Sequence, residues 1–261
     1  MTTTIALRGD TGPAGTGTEF DAYVAVPAGE VRGAVIVIHE IWGLVDHITG
    51  IADRLAAEGY LAIAPDLLSR VGIDPPIGLE LQDIMFSQDP KVRSDGQPRL
   101  REALSPLRSP EFGADALASL TATVDYLVEQ PGVDGRIAVT GFCFGGSNAF
   151  ALAAADHRIR AAVPFYGQGP EASADAGIAC PVLAFYGQKD TGLIDALPTV
   201  TATLEGAGVD FRTEVYPQTG HAFFNDTNPF TYDADAANDA WTKLLAFLDE
   251  TLGAQAPADA R

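Results

Sequence analysis

Three residues of this 261-residue chain, Cys143, Asp190 and His221, have the types and the order of a nucleophile, an acid and a base. Cys143 sits in Gly141-Phe142-Cys143-Phe144-Gly145-Gly146, directly after an apolar strand pattern at 137–140 and before a Gly/Ala-rich helical stretch. This is the nucleophile-elbow pattern with cysteine in place of serine; its glycines permit a tight strand-to-helix turn that lifts the side chain into the open. The position also suits a thiol, because a helix N-terminus favours the thiolate. The next amide, that of Phe144, is placed to donate to an oxyanion. Free cysteines are more often buried and inert, and the motif alone would leave the two readings even. The order of the other two residues shifts the balance. Asp190 ends Tyr186-Gly187-Gln188-Lys189-Asp190, just past a strand pattern, and His221 follows another in Thr219-Gly220-His221. Of the four histidines only His221 lies downstream of Asp190. A loop aspartate by itself is usually a turn residue; the joint order makes a Cys-His-Asp triad the favoured reading.

The elements that must position these residues follow from periodicity. Residues 20–26 read as an antiparallel edge strand closed by a Pro27-Ala28-Gly29 turn. Residues 34–38 are a β-branched run buried on both faces, as in the centre of a parallel sheet. A helix from Asp46, with Ile48, Ile51 and Leu55 on one face, stops at Gly59 and leads to a buried strand at 60–64. The unit repeats: a helix over 114–130, strands over 137–140, 159–165, 182–186 and 211–216, and helices over 144–155, 194–205 and 233–252. Such alternation predicts α/β architecture, a mostly parallel central sheet with helices on both faces. The whole chain, 1–261, is expected to form one domain. Residues 69–112, with six prolines and no clear period, are expected to be an irregular insertion with short helices over one rim.

Composition limits the partners. Thirty-five Asp and Glu against 16 Lys and Arg give a formal net charge of −19. That field repels phosphate backbones and anionic lipid, so neither nucleic acid nor a membrane surface is an expected partner. Two cysteines, Cys143 and Cys180, do not make a disulfide framework. Cys180, before Pro181 and a strand, reads as a small core residue. No signal-peptide pattern opens the sequence and no apolar run is long enough to span a bilayer, so a cytoplasmic protein is expected. His39, Glu40 and His47 lack H-E-x-x-H spacing and no metal is expected; His47 and His157, near helix ends, are expected at the surface.

Several stretches together resemble the dienelactone hydrolase family, the cysteine-nucleophile branch of the α/β-hydrolase fold. They are Val35-Ile36-Val37-Ile38-His39-Glu40-Ile41-Trp42-Gly43, Ala64-Pro65-Asp66-Leu67, the elbow itself, Phe165-Tyr166-Gly167, Gly187-Gln188-Lys189-Asp190 and Gly220-His221-Ala222-Phe223. The likeness runs from about residue 20 to the last helix. It implies the α/β-hydrolase fold, with Cys143 attacking a lactone or ester carbonyl, His221 carrying the proton and Asp190 orienting it. It places the second oxyanion donor on the amide of Ile41, beside that of Phe144. It also singles out Glu40 as a carboxylate that helps deprotonate the thiol when substrate arrives. One departure stands out. Family members carry an arginine three or four residues after the histidine, where it binds a substrate carboxylate. Here the stretch is His221-Ala222-Phe223-Phe224-Asn225-Asp226, without a base. Another family arginine falls in the region of the insertion, where Arg93, Arg99 and Arg101 are available.

The resemblance implies hydrolysis of a small-molecule ester or enol-lactone, without metal or organic cofactor, by a monomer or weak homo-oligomer. A thioesterase, a broad carboxylesterase, or a non-catalytic ligand-binding or redox-sensing protein would use the same pocket. Trp42, Phe142, Phe165, Tyr166, Phe223 and Phe224 fall at rim positions and are expected to divide between an apolar substrate wall and the core.

Overall fold

A computed structural model of the chain describes residues 1–9, 18–171 and 177–253. Eight strands form one sheet: β1 (Thr2–Gly9), β2 (Thr18–Ala25), β3 (Ala34–Ile38), β4 (Leu61–Pro65), β5 (Ile137–Phe142), β6 (Ile159–Phe165), β7 (Val182–Gly187) and β8 (Phe211–Tyr216). Their order is β1-β2-β4-β3-β5-β6-β7-β8. β1 and β2 pair antiparallel, as do β2 and β4, and every pair from β4 onward is parallel. The expected α/β sheet is therefore present, with an antiparallel margin that now includes β1 beside the strand read at 20–26.

Helices cover both faces because the strands are apolar on both. In β3, Ala34, Ile36 and Ile38 belong to one core layer, while Val35 and Val37 belong to the other. The second layer is completed by α1 (Asp46–Ala57), through Ile48, Ile51 and Leu55, and by α7 (Ala234–Leu252), through Leu244, Phe247 and Leu248. The first layer takes Leu120 and Val124 of α4 (Pro110–Val128) and Leu152 of α5 (Phe144–Ala155). It also takes Leu204 of α6 (Thr191–Gly206). Among the described residues no helix is long and apolar enough to cross a membrane.

Residues 69–112 differ from the expectation of an irregular insertion. They form α2 (Pro75–Met85), α3 (Pro90–Ala103), two short 3-10 turns and the start of α4. The prolines that mask the period are mostly helix starters. Pro75, Pro90 and Pro110 occupy first turns, where the missing N–H costs nothing. Each follows a side-chain cap, from Asp74 to the Ile77 amide, Asp89 to Lys91 and Ser109 to Phe112. Only Pro98 lies inside a helix of this stretch.

Close approach at the carboxyl ends of the strands explains the elbow glycines. A Cβ on Gly145 would stand 2.2 Å from the Ile38 carbonyl oxygen and 2.7 Å from that of His39. The first turn of α5 thus rests directly on the backbone leaving β3. Gly145→Ala should cost about 1 to 3 kcal/mol or more of stability. Gly113→Ala, in an exposed turn of α4 with nothing within 4 Å, should instead add about 0.5 to 1 kcal/mol. Urea unfolding of both variants checks this; equal stabilities would mean that the β3 and α5 backbones do not depend on a missing side chain.

Candidate active site

Cys143 is the residue between β5 and α5, with φ 56° and ψ −112°. That left-handed conformation is unfavourable for a non-glycine residue and persists only where its surroundings hold it. Here the Cys143 amide donates to the Phe165 carbonyl at 3.0 Å, and the Cys143 carbonyl accepts from the Ser147 amide at 3.1 Å. The sharp turn leaves the thiol partly exposed, and Phe144 as the first residue of α5 offers one of the unpaired amides of a helix start.

Asp190 and His221 reach the thiol from two neighbouring strand ends. Asp190 precedes α6, where an aspartate ordinarily caps the helix, yet its side chain makes no capping bond. Its Oδ2 instead accepts from His221 Nδ1 at 2.5 Å. The two loops are tied together: the Lys189 amide donates to the Thr219 carbonyl at 2.8 Å, and the Gln188 amide to the Tyr216 carbonyl at 3.0 Å. Gly187 allows this contact, since a Cβ there would meet the Gly220 carbonyl oxygen at 2.4 Å. Burial alone would push the His221 imidazole down; hydrogen bonds to Asp190 and Cys143 outweigh it and raise its pKa to about 10. Its side chain remains 44% exposed, against 17% for Asp190, so the base faces the entrance and the acid lies behind it. The three residues read from the sequence as a triad are thus brought together at one cleft. That cleft is about 320 Å3 and is lined by Phe144, Ser147, Tyr166, Gln168, Gly192 and Leu193 as well.

Beneath the cleft lies Glu40, 3% exposed. Asn225 donates to its Oε2 at 2.5 Å and the Tyr166 hydroxyl to its Oε1 at 3.2 Å. Burial pushes the Glu40 carboxyl up, while His47, Asn225, His221 and Tyr166 oppose it. Tyr166, itself at φ 38°, joins this carboxyl to the triad: its ring centroid lies 5.1 Å from that of His221, and Glu40 and Cys143 add to burial in holding its hydroxyl far above the usual range. His39 fixes the backbone that carries Glu40 and Ile41. Its Nε2 accepts from the Leu67 amide at 3.1 Å and its Nδ1 donates to the Glu40 carbonyl at 2.7 Å. Burial lowers the His39 pKa, which suits a neutral ring with one accepting nitrogen. Through Gly145 the same β3 exit packs on the turn carrying Phe144, so Ile41 and Phe144 stand on adjoining backbone segments.

Other expected site residues are placed elsewhere. Phe142 and Phe165 are wholly enclosed, stacked on each other at 4.7 Å, with Phe224 5.4 Å from Phe142. As the last residues of β5 and β6 they point into the layer under α1 and α7, so they support the elbow and do not wall the cleft. Trp42 is 5% exposed and meets Phe86, just past the end of α2, edge-on at 5.4 Å. The cleft's apolar walls are Phe144, Tyr166 and Leu193. Arg93 turns to the Ser87 carbonyl and over the Phe230 ring, and Arg99 pairs with Glu80 at 3.0 Å; neither these nor Arg101 lines the cleft. Cys180 is buried, its thiol pushed up to about 12 by that burial. His157 is exposed, but His47, expected at the surface, is buried with Nδ1 2.9 Å from Asp226 Oδ1. The correction has a simple cause: His47 lies in the first turn of α1 on the face that packs against Phe142 and Phe224. Asn225, Tyr166 and His39 were not expected to hold Glu40; the only sequence signal was an asparagine where the family carries a base.

The chain is similar to known proteins over most of its length. Residues 20–252 match the family model described as "Dienelactone hydrolase family". A Yersinia pestis protein whose name assigns it to the carboxymethylenebutenolidases is 34% identical over 250 residues, 91% of this chain and 86% of its own length. A Saccharolobus solfataricus protein assigned by name to the same activity is 33% identical over 248 residues, 89% of this chain and 94% of its own. The crystal structure of a Klebsiella pneumoniae protein named as a dienelactone hydrolase superposes with a TM-score of 0.73 at 29% identity, covering 96% of this chain and 99% of that one. An eight-stranded sheet of this order, a strained residue at its elbow and a match over nearly the whole sheet lead to one assignment: the chain is an α/β-hydrolase-fold hydrolase of the dienelactone hydrolase family.

Proposed function

We propose that the protein is a cysteine-dependent hydrolase of small, neutral esters or enol-lactones. The observation that carries this reading is the joint approach of Asp190 and Cys143 to the two sides of His221 at an open cleft. In the reaction the Cys143 proton rests on His221, whose pKa is raised by its hydrogen bonds to Asp190 and Cys143, and the sulfur attacks the substrate carbonyl carbon. The tetrahedral oxyanion accepts hydrogen bonds from the amides of Ile41 and Phe144. His221 returns the proton to the departing alkoxide or enolate, leaving a thioester on Cys143. It then deprotonates a water, which attacks the thioester and frees the acid and the thiol. Glu40, beneath the site and joined to it through Tyr166, is the carboxylate that the family likeness links to deprotonation of the thiol, while the proton itself ends on His221. Cys143→Ala should abolish ester turnover, measured with p-nitrophenyl acetate, without loss of fold, and iodoacetamide should label Cys143 before Cys180. Full activity in the alanine variant would reject the mechanism.

The raised pKa of His221 gives a second test, by NMR titration of the imidazole. In the parent it should hold its proton well above the ordinary value of about 6.5. Asp190→Asn should bring it down toward that value. Because the folded pKa is raised, the pair's contribution to stability is full below about pH 6.5 and is lost as pH rises through about 10. A titration unchanged in Asp190→Asn would remove Asp190 from the relay.

Substrate charge follows from the lining. Among the described residues of the cleft there is no Lys or Arg, and the position where the family places an arginine holds Asn225, which is spent on Glu40. A carboxylate bound there would lose water and meet no Lys or Arg, and the imidazolium of His221 is already paired with Asp190, a cost of several kcal/mol. A lactone methyl ester should therefore have kcat/KM at least equal to that of the matching free acid. A strong preference for the acid would mean that Arg93, Arg99 or Arg101 swings in from α3.

A further inference from the structure

Beside the cleft another cavity, of about 230 Å3, runs between the 167–171 segment and α6. Gln168 and Leu193 line both, so the two share a wall. From Leu193 the cavity continues along α6 past Ala196, Thr199 and Val200, and Tyr186 of β7 reaches it from the sheet. Positions 193, 196 and 200 recur at helical spacing, and the helix rises about 10 Å between the first and the last. Two contacts fix the opposite wall. The Gln168 amide donates to Ser147 Oγ at 2.9 Å, which ties the segment to α5 beside the cleft. At Gly169 a Cβ would stand 2.5 Å from Val200 Cγ1, so the segment rests on α6 at the end away from Leu193.

Gln168, Glu171 and Thr199 are exposed along this cavity, while Tyr186 and Val200 are buried. Tyr186 is the polar exception among the buried walls. It is 2% exposed, and among the described residues its hydroxyl makes no hydrogen bond. A buried tyrosine hydroxyl ordinarily has a partner, and leaving it without one is costly. Burial and the neighbouring Asp190 hold its pKa above the usual range, so it keeps its proton and can donate it to an oxygen brought by an occupant. That oxygen is a neutral one. Glu171 borders the cavity, and among the described residues no Lys or Arg lines it.

The two halves of an ester have different needs at this site. His221, 44% exposed, protonates the departing oxygen, so the leaving group lies toward the entrance. The acyl half stays on Cys143 as the thioester, and the shared wall of Gln168 and Leu193 is where it can extend. We propose that the cavity along α6 is the acyl subsite: it takes a straight chain of several carbons carrying a neutral oxygen for the Tyr186 hydroxyl, as in an oxo-acyl ester. The proposal rests on the cysteine-hydrolase reading above and names a substrate class within it. An acetyl group would leave both the apolar face of α6 and the hydroxyl unused.

The test compares kcat/KM for p-nitrophenyl acetate, hexanoate and 5-oxohexanoate in the parent, Ala196→Phe and Tyr186→Phe. The parent should favour hexanoate over acetate about tenfold or more, since seating even one methylene in an apolar pocket can discriminate that strongly. It should favour 5-oxohexanoate over hexanoate about threefold to tenfold, the effect of one neutral hydrogen bond. Ala196 is exposed, so a phenylalanine there can turn into the cavity without disturbing the core. It should bring the hexanoate-to-acetate ratio toward one. Tyr186→Phe breaks no hydrogen bond among the described residues and should bring the oxo-to-plain ratio toward one while the chain-length ratio persists. A parent lacking either preference, an Ala196→Phe variant that slows all three esters equally, or an oxo preference that survives in Tyr186→Phe would each overturn the proposal. Turnover of p-nitrophenyl acetate that survives in Cys143→Ala would overturn the hydrolase reading instead, which keeps the two failures apart.

Discussion

The approach of bare backbone to bare backbone at the carboxyl ends of β3 and β5 is the constraint on which the site depends. Gly145 lets the first turn of α5 lie against the carbonyls of Ile38 and His39, and those residues lead directly to Glu40 and Ile41. Cys143 must then take up a left-handed conformation to connect β5 to that turn. Its strain, of order 1 to 3 kcal/mol, is held by the Phe165 and Ser147 backbone bonds and by the aromatic stack of Phe142, Phe165 and Phe185 beneath. The core and the site are thus one construction. The phenylalanines do not line the cleft; they pack beneath the strand ends that carry it.

Among the described residues, no Lys or Arg lines the cleft. In a chain of net charge −19, the carboxylates of Asp190, Asp226 and Glu40 are grouped around imidazoles. An imidazole can take and return a proton near neutrality, which a guanidinium cannot. His39 shows the opposite use of the same residue: enclosed and neutral, it joins the ends of β3 and β4 by one donated and one accepted hydrogen bond. His39 and His221 therefore serve two ends, set by what each nitrogen meets.

Much of this was legible in the sequence, and the rest was hidden for identifiable reasons. The two-sided apolar runs of β3, β4 and β5 could hardly be anything but interior strands, and the glycines around Cys143 announced the elbow. The prolines of 69–112 hid helices because a first-turn proline and a helix-breaking proline look alike until the caps at Asp74, Asp89 and Ser109 are seen. His47 looked superficial because it follows a helix start, yet one turn of α1 rotates it onto Phe142 and Phe224. Phe142 and Phe165 looked like rim residues because strand ends are near the rim. Which way the last side chain of a strand points depends on the pleat, and here both point inward.

The loop from His221 to Asn228 draws these threads together, because successive residues in it serve different layers. His221 faces the cleft, Phe223 and Phe224 enter the core under α7, Asn225 reaches Glu40 and Asp226 reaches His47. A base at position 225 would have offered a substrate carboxylate a partner and Glu40 an alternative one. Asparagine can do neither by charge; it can only fix Glu40 in place by a neutral bond. The consequence reaches α1: through two successive side chains the same turn holds Glu40 behind the cleft and His47 in the first turn of α1, so neither can shift without straining the other.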